Sequence, residues 1–220
     1  MNTPEGSIVS RLPSLTTTTY GVLGLLAVRP YSTYELTKAM GLSVGRLWPR
    51  AESKLFEEPK KLVEHGYARA SAEHVGRRPR TVYSITPSGR RALADWLAEP
   101  GAGPSVEFEG LVKLLFAEFG TKQDALGTIA RVRDWAVEAN DESVAAGRRF
   151  AERGGRYEQR HGRAMLMGAF LTDFYALVAR WADWAAEEVA SWPEDIASHR
   201  IEPAAAQAVL DRAGWSSPPH

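Results

Sequence analysis

The densest run of chemically suggestive side chains is Gly76-Arg77-Arg78-Pro79-Arg80. Guanidinium groups this close together suit a polyanion. Each pairs with phosphate oxygens bidentately, and arginine is favoured in the negative potential of narrow grooves. A solvated turn would carry the same residues. A second basic group comprises Arg50, Lys54, Lys60 and Lys61, interleaved with Glu52, Glu57, Glu58 and Glu64. Alone, that mixture fits an ordinary charged helix surface as well as a phosphate-facing one.

Other chemistries have little support. The 220-residue chain contains no cysteine, which removes disulfides, thiolate nucleophiles and cysteine-based metal sites. His65, His74, His161, His199 and His220 show no ligand spacing. There is no nucleophile elbow, P-loop or dinucleotide fingerprint, so no catalysis, metal or cofactor is expected. The uncharged run Leu12 to Val28 opens on Pro, Ser and Thr, too polar for a membrane span, and Glu5 ahead of it argues against a signal peptide. A cytoplasmic protein without membrane contact is expected.

Charge is unevenly distributed. The totals balance at 27 basic and 27 acidic residues, but residues 1–100 hold 14 Lys and Arg against 9 Asp and Glu. Residues 101–220 reverse this, with 13 against 18. Such asymmetry suits a polyanion-binding half joined to something else.

The elements that must hold the basic residues follow from local signals. Thr16 to Val28 reads as a buried helix, in which Gly21 and Gly24 allow close packing. Ser32-Thr33-Tyr34-Glu35 is a capping box that starts a helix over Thr33 to Met40. Residues 41–49 read as a connection. A third helix is expected from Ala51 to His65, capped by Gly66, with Leu55, Phe56, Leu62 and Val63 buried; Pro59 inside it either kinks the helix, the favoured reading, or leaves 51–58 as a looser preceding turn. Residues 67–73 and 81–86 then read as strands flanking the arginine-bearing tip. Thr86-Pro87 opens a fourth helix that buries Leu93, Trp96 and Leu97. Helix, helix, helix, hairpin, helix is the order of a winged helix-turn-helix, and it brings the basic tip and the basic third helix into one small unit.

The expected fold class is mainly α with a small β-hairpin. A loose arm (1–14) precedes a winged-helix domain (15–99). A Pro- and Gly-rich linker (100–105) leads to a helical domain (106–192) and a tail (193–220) with a short helix. In the helical domain Phe108, Leu111, Val112, Leu115 and Phe119 lie at helical spacing. Ala125, Ile129, Val132, Ala136, Ala139, Ser143, Ala146 and Phe150 form a heptad-like seam. Met167, Leu171, Phe174, Val178, Trp181 and Ala185 form another stripe, flanked by Leu166, Phe170, Leu177 and Trp184. Two such stripes exceed what three helices bury among themselves, and a second copy is the simplest partner. Phe170, Phe174, Tyr175, Trp181 and Trp184 also suit a small-molecule cavity, as they suit plain core. Asp173 beside them is salt-bridged, solvent-facing or a cation-recognition group.

The quoted motifs, taken together, resemble the PadR family of transcriptional regulators. The resemblance rests on Tyr20-Gly21-Val22-Leu23-Gly24-Leu25-Leu26, Tyr31-Ser32-Thr33-Tyr34-Glu35-Leu36 and Trp48-Pro49. It continues through Ser53-Lys54-Leu55-Phe56, Lys60-Lys61-Leu62-Val63-Glu64-His65-Gly66 and the run from Gly76 to Thr86, leading to Gly89 and Trp96. Phe108 to Phe119 resembles the opening of that family's helical dimerisation module. One departure is that Phe56-Glu57 stands in the family's Tyr-Pro place and Pro59 in a Leu place.

The resemblance implies a dimeric repressor on a roughly palindromic stretch of double-stranded DNA, released when a small-molecule effector changes the dimer angle. Ser53, Lys54 and Lys60 are expected to face bases or adjacent phosphates, and Arg50 and Lys61 the backbone. Ser32 and Tyr34, at a helix N-terminus, are expected near phosphates, and Arg77, Arg78 and Arg80 form the wing. Phe170, Asp173, Phe174, Tyr175, Trp181 and Trp184 are the candidate effector pocket. A winged helix serving as a protein-interaction adaptor, without DNA, is the competing reading.

Overall fold

Thr16 starts the first helix with a reciprocal cap: its hydroxyl accepts the Thr19 N–H, and its own N–H donates to the Thr19 hydroxyl, both at 3.2 Å. Helix α1 follows over Thr17–Val28. The computed structural model describes residues 15–48, 56–75, 78–152 and 158–211. The chain divides into two compact units, Met1–Pro104 and Ser105–His220.

In the first unit, strand β1 (Tyr31–Ser32) leads into α2 (Thr33–Gly41), a one-turn α3 (Val44–Leu47), and α4 (Glu58–Glu64). Strands β2 (Ala68–Val75) and β3 (Arg78–Ile85) form the hairpin, and α5 (Pro87–Ala98) closes the unit. The sheet order is β1-β3-β2, antiparallel throughout. Tyr31 lies opposite Tyr83, and Ser32 opposite Val82. The core is Val22, Leu23 and Leu26 of α1, Leu36 and Met40 of α2, Leu62 of α4, and Tyr31, Ala68 and Tyr83 from the sheet.

Several expectations need correction. The 41–49 connection contains α3, and the hairpin gains β1 as a third strand. Pro59 does not kink a helix. It is the second residue of α4, where its missing N–H would have had no intrahelical partner, and Phe56-Glu57 form a turn ahead of it. Phe56 is exposed rather than buried, as is Leu97; Trp96 is half-exposed and stacks on Tyr20 at 4.8 Å between centroids. Gly21 faces Met40 and Val44 closely, whereas among the described residues no neighbouring element comes within 4 Å of the Cβ position of Gly24.

The corner joining α4, the hairpin and α5 is tightly specified. Gly66 takes φ +70°, a conformation costly for a residue with a Cβ. Its N–H donates to Val63 O at 2.9 Å and the Tyr67 N–H to Leu62 O at 2.8 Å, a Schellman closure. The Thr86 hydroxyl donates to Gly66 O at 2.7 Å and accepts the Gly89 N–H at 3.0 Å. A Cβ on Gly89 would stand 2.1 Å from Tyr67 O, so only glycine lets α5 start here.

In the second unit α6 (Glu109–Leu115) and a 3₁₀ turn (Ala117–Phe119) precede two long helices, α7 (Lys122–Glu152) and α8 (Glu158–Ser191). A 3₁₀ turn (Ile196–Ser198) and α9 (Pro203–Asp211) follow. Ala125, Ile129, Val132 and Ala136 of α7 pack against Val178, Ala182, Ala185 and Val189 of α8, with Ile196. The small residues in this seam let the helices approach closely.

Candidate nucleic-acid interface

The first turn of α2 is held by its own cap. The Ser32 hydroxyl accepts the Glu35 N–H at 3.4 Å and donates to Glu35 Oε2 at 2.8 Å, and the Ser32 N–H donates to the same oxygen at 2.9 Å. Ser32 is buried. The Ser32 N–H, then its hydroxyl and the Arg29 guanidinium at 3.1 Å, hold the Glu35 carboxyl below the usual carboxylate range. Arg29 also lies over the Tyr31 ring, 3.8 Å from its centroid. Tyr34, by contrast, is 76% exposed and free to meet a partner.

On α4, Lys60 is exposed and Lys61 half-exposed. The Lys61 ammonium donates to Glu58 Oε1 at 2.8 Å, and this bond holds Lys61 above its ordinary pKa. Arg50, Ser53 and Lys54 lie outside the described residues, as does Arg77.

The wing is a regular ladder from Ala68 opposite Ile85 to Val75 opposite Arg78. Arg80 stands opposite Glu73 and pairs with it, Nη2 to Oε2 at 2.9 Å. Because successive strand side chains alternate between faces, Arg69 shares the face of Glu73 and Arg80. Arg69 is exposed and went unremarked in the sequence. The period of two from Glu73 would have found it once the register was known. The pairing of Ser32 with Val82 ties the start of α2 to the same strand that carries Arg78 and Arg80. One small frame thereby holds Ser32, Tyr34 and the wing.

In the second unit, three of the five aromatic positions considered for an effector gather and two stand apart. Phe170 stacks on Phe174 at 6.3 Å, and Tyr175 lies 5.8 Å from Phe174. Trp135 of α7 joins them edge-on, 6.4 Å from Phe174 and 5.7 Å from Tyr175. Asp173 is exposed on the same turn of α8. Trp181 instead meets Phe108 edge-on at 5.9 Å, and Trp184 packs in the α7–α8 core. A recess of about 350 Å³ lies elsewhere in this unit, lined by Leu114, Ala117, Glu118, Trp192, Ile196, Ala197 and His199. No group of described residues could hold a metal ion, and no described helix is long and apolar enough to cross a membrane.

Known proteins place this geometry. Residues 22–95 match the Transcriptional regulator PadR-like family. The chain is 30% identical over 108 residues to the Negative transcriptional regulator PadR of Bacillus subtilis (strain 168), covering 48% of this chain and 59% of the relative. The match thus spans about three fifths of that relative's length. The fold is that of Bacillus subtilis PadR in its crystal structure with operator DNA, with a TM-score of 0.69 at 20% identity over 80% of this chain and 99% of that one. The structure of the same protein with p-coumaric acid gives 0.62 at 19%, over 80% and 100%. The segment that matches the Transcriptional regulator PadR-like family, residues 22–95, is the one that holds the capped α2, the helix α4 and the three-stranded wing.

Proposed function

We propose that this chain is a sequence-specific DNA-binding transcriptional regulator, a dimeric repressor without catalytic activity that works in the cytoplasm. The observation that carries the reading is the β1–β3 pairing, which fixes the start of α2 to the arginine-bearing strand within the family-matched segment. A helix-turn-helix reads the major groove while a basic strand loop holds the backbone beside it. The relative crystallised with operator DNA supports a duplex as the ligand.

The second unit supplies the partner surface. On α6 and its following turn Leu111, Val112, Leu115, Phe116 and Phe119 are exposed, as are Met165, Leu166, Phe170 and Leu177 on α8. Exposed apolar side chains in this number favour association, and a second copy covers them with two-fold symmetry. Two recognition units then meet half-sites about one helical turn, ~34 Å, apart on a roughly palindromic operator. The relative crystallised with p-coumaric acid supports a small-molecule effector that releases the DNA. In this chain the cluster of Phe170, Phe174 and Tyr175 with Trp135 and Asp173 is the place we assign to it.

The test is selection of duplexes from a random pool by the intact chain, followed by titration at stated salt. A selected palindromic site bound far more tightly than its scramble is expected. Equal binding to both, or to neither, overturns the reading.

A further inference from the structure

Glu58 reads in the sequence as one of several surface acids, yet in the structure it is 1% exposed. A carboxylate that deep is tolerated only when paired and hydrogen-bonded. Both of its oxygens are used. Oε2 accepts the hydroxyl of Thr19 on α1 at 2.5 Å, and Oε1 takes the Lys61 ammonium at 2.8 Å. Thr19 is itself 2% exposed, and its oxygen also receives the Thr16 N–H that caps α1. A line of directional bonds therefore runs from the α1 cap into the first turn of α4 and out to a half-exposed lysine.

Stability does not account for this arrangement, because a buried ion pair is commonly matched or bettered by packed apolar residues. Leu62, fully buried on the same helix, already supplies the apolar contact with α1. Apolar contact alone leaves a short helix free to rotate slightly about its axis, whereas a bond between two fixed atoms does not.

We propose that Glu58 is a positioning residue of the DNA interface, fixing the rotation of α4 against α1 and holding the Lys61 ammonium at a set point on the surface. The proposal rests on the DNA-binding reading above. It extends that reading to a residue that need not touch the duplex.

The experiment uses the full chain and two probes: the duplex that wild type selects best from a random pool, and a scramble of it. Glu58→Gln keeps the shape and a carbonyl for the Thr19 hydroxyl but loses its grip on Lys61. Glu58→Ala loses both contacts. The ratio of selected to scrambled affinity should fall roughly tenfold in Glu58→Ala and by a smaller, measurable factor in Glu58→Gln. Affinity for the scramble should not fall in Glu58→Gln, since one negative charge has been removed from beneath a polyanion site. If Glu58→Ala fails to fold, the ratio in Glu58→Gln decides. An unchanged ratio in the folded variants, whatever happens to their melting temperatures, overturns the proposal alone. A wild-type chain that selects no duplex overturns the DNA-binding reading and this proposal with it.

Discussion

Arg80 faces Glu73 across the hairpin ladder, and their side chains form an ion pair of 2.9 Å with both partly exposed. Such a pair adds little to stability. Its larger effect is electrostatic. The carboxylate offsets the positive charge of Arg80, so Glu73 restrains the wing's attraction for any duplex. Glu73→Gln should tighten binding to selected and scrambled duplexes alike and steepen the dependence on salt. Arg80→Ala should weaken both and flatten the salt dependence by about 0.9 in log–log slope for the lost phosphate. Titrations across a range of salt concentrations measure this, and identical slopes in all three proteins would remove the wing from the interface.

The corner at Gly89 predicts a stability effect independent of any ligand. A Cβ at this position would lie only 2.1 Å from Tyr67 O, so Gly89→Ala must push α5 away from the hairpin. The expected loss is about 3 kcal/mol, at the upper end for overpacking. Urea unfolding followed by circular dichroism tests it; a loss below about 0.5 kcal/mol, the size of an ordinary surface change, would contradict this account of the corner.

The α2 cap predicts a pH effect. The Glu35 carboxyl is lowered in the folded chain by Ser32 and Arg29, so the folded state holds its proton less tightly than the unfolded state does. The stability it contributes is present above the ordinary carboxylate range and fades as pH falls through that range toward the folded value. Glu35→Gln should cost about 1 kcal/mol at neutral pH, the usual worth of a cap. The difference from wild type should shrink on acidification. Thermal melts across that range test it, and a difference that grows toward acid would reverse the assignment.

The exposed apolar face of the second unit predicts an assembly effect. Leu177→Glu on α8 should weaken self-association by a factor of ten to a hundred, since burying a leucine is worth about 1.5–3 kcal/mol. Light scattering over a concentration series measures it. A wild-type chain that remains monomeric at micromolar concentration would refute the dimer.

What the sequence disclosed follows from how far each signal reaches. The Ser32–Glu35 cap, the Gly66 stop and the Thr86-Pro87 start are each decided within a few residues, and all appear where expected. Strand β1 was invisible because two residues carry no period and its partner β3 lies some fifty positions away. Burial of Glu58 depends on Thr19, 39 residues upstream, and nothing near Glu58 announces it. Phe56 and Leu97 look like core by type, yet the fold turns both outward. Among the candidate contacts, Tyr34 and Lys60 are exposed; Ser32 is bonded to Glu35, as its capping box implies, while Lys61 and Arg80 are bonded to Glu58 and Glu73, acids that the sequence alone did not pair with them.

Thr86 has a consequence for how the wing can change over generations. Its hydroxyl grips the carbonyl of Gly66 across a span of 20 residues and, with the same oxygen, anchors the next helix. The excursion between them is thus pinned at its root like a flag on a pole. Insertions, deletions or new charges at the far end can be tried without disturbing the body that carries them, so reach and grip can drift between descendants while the frame stays the same.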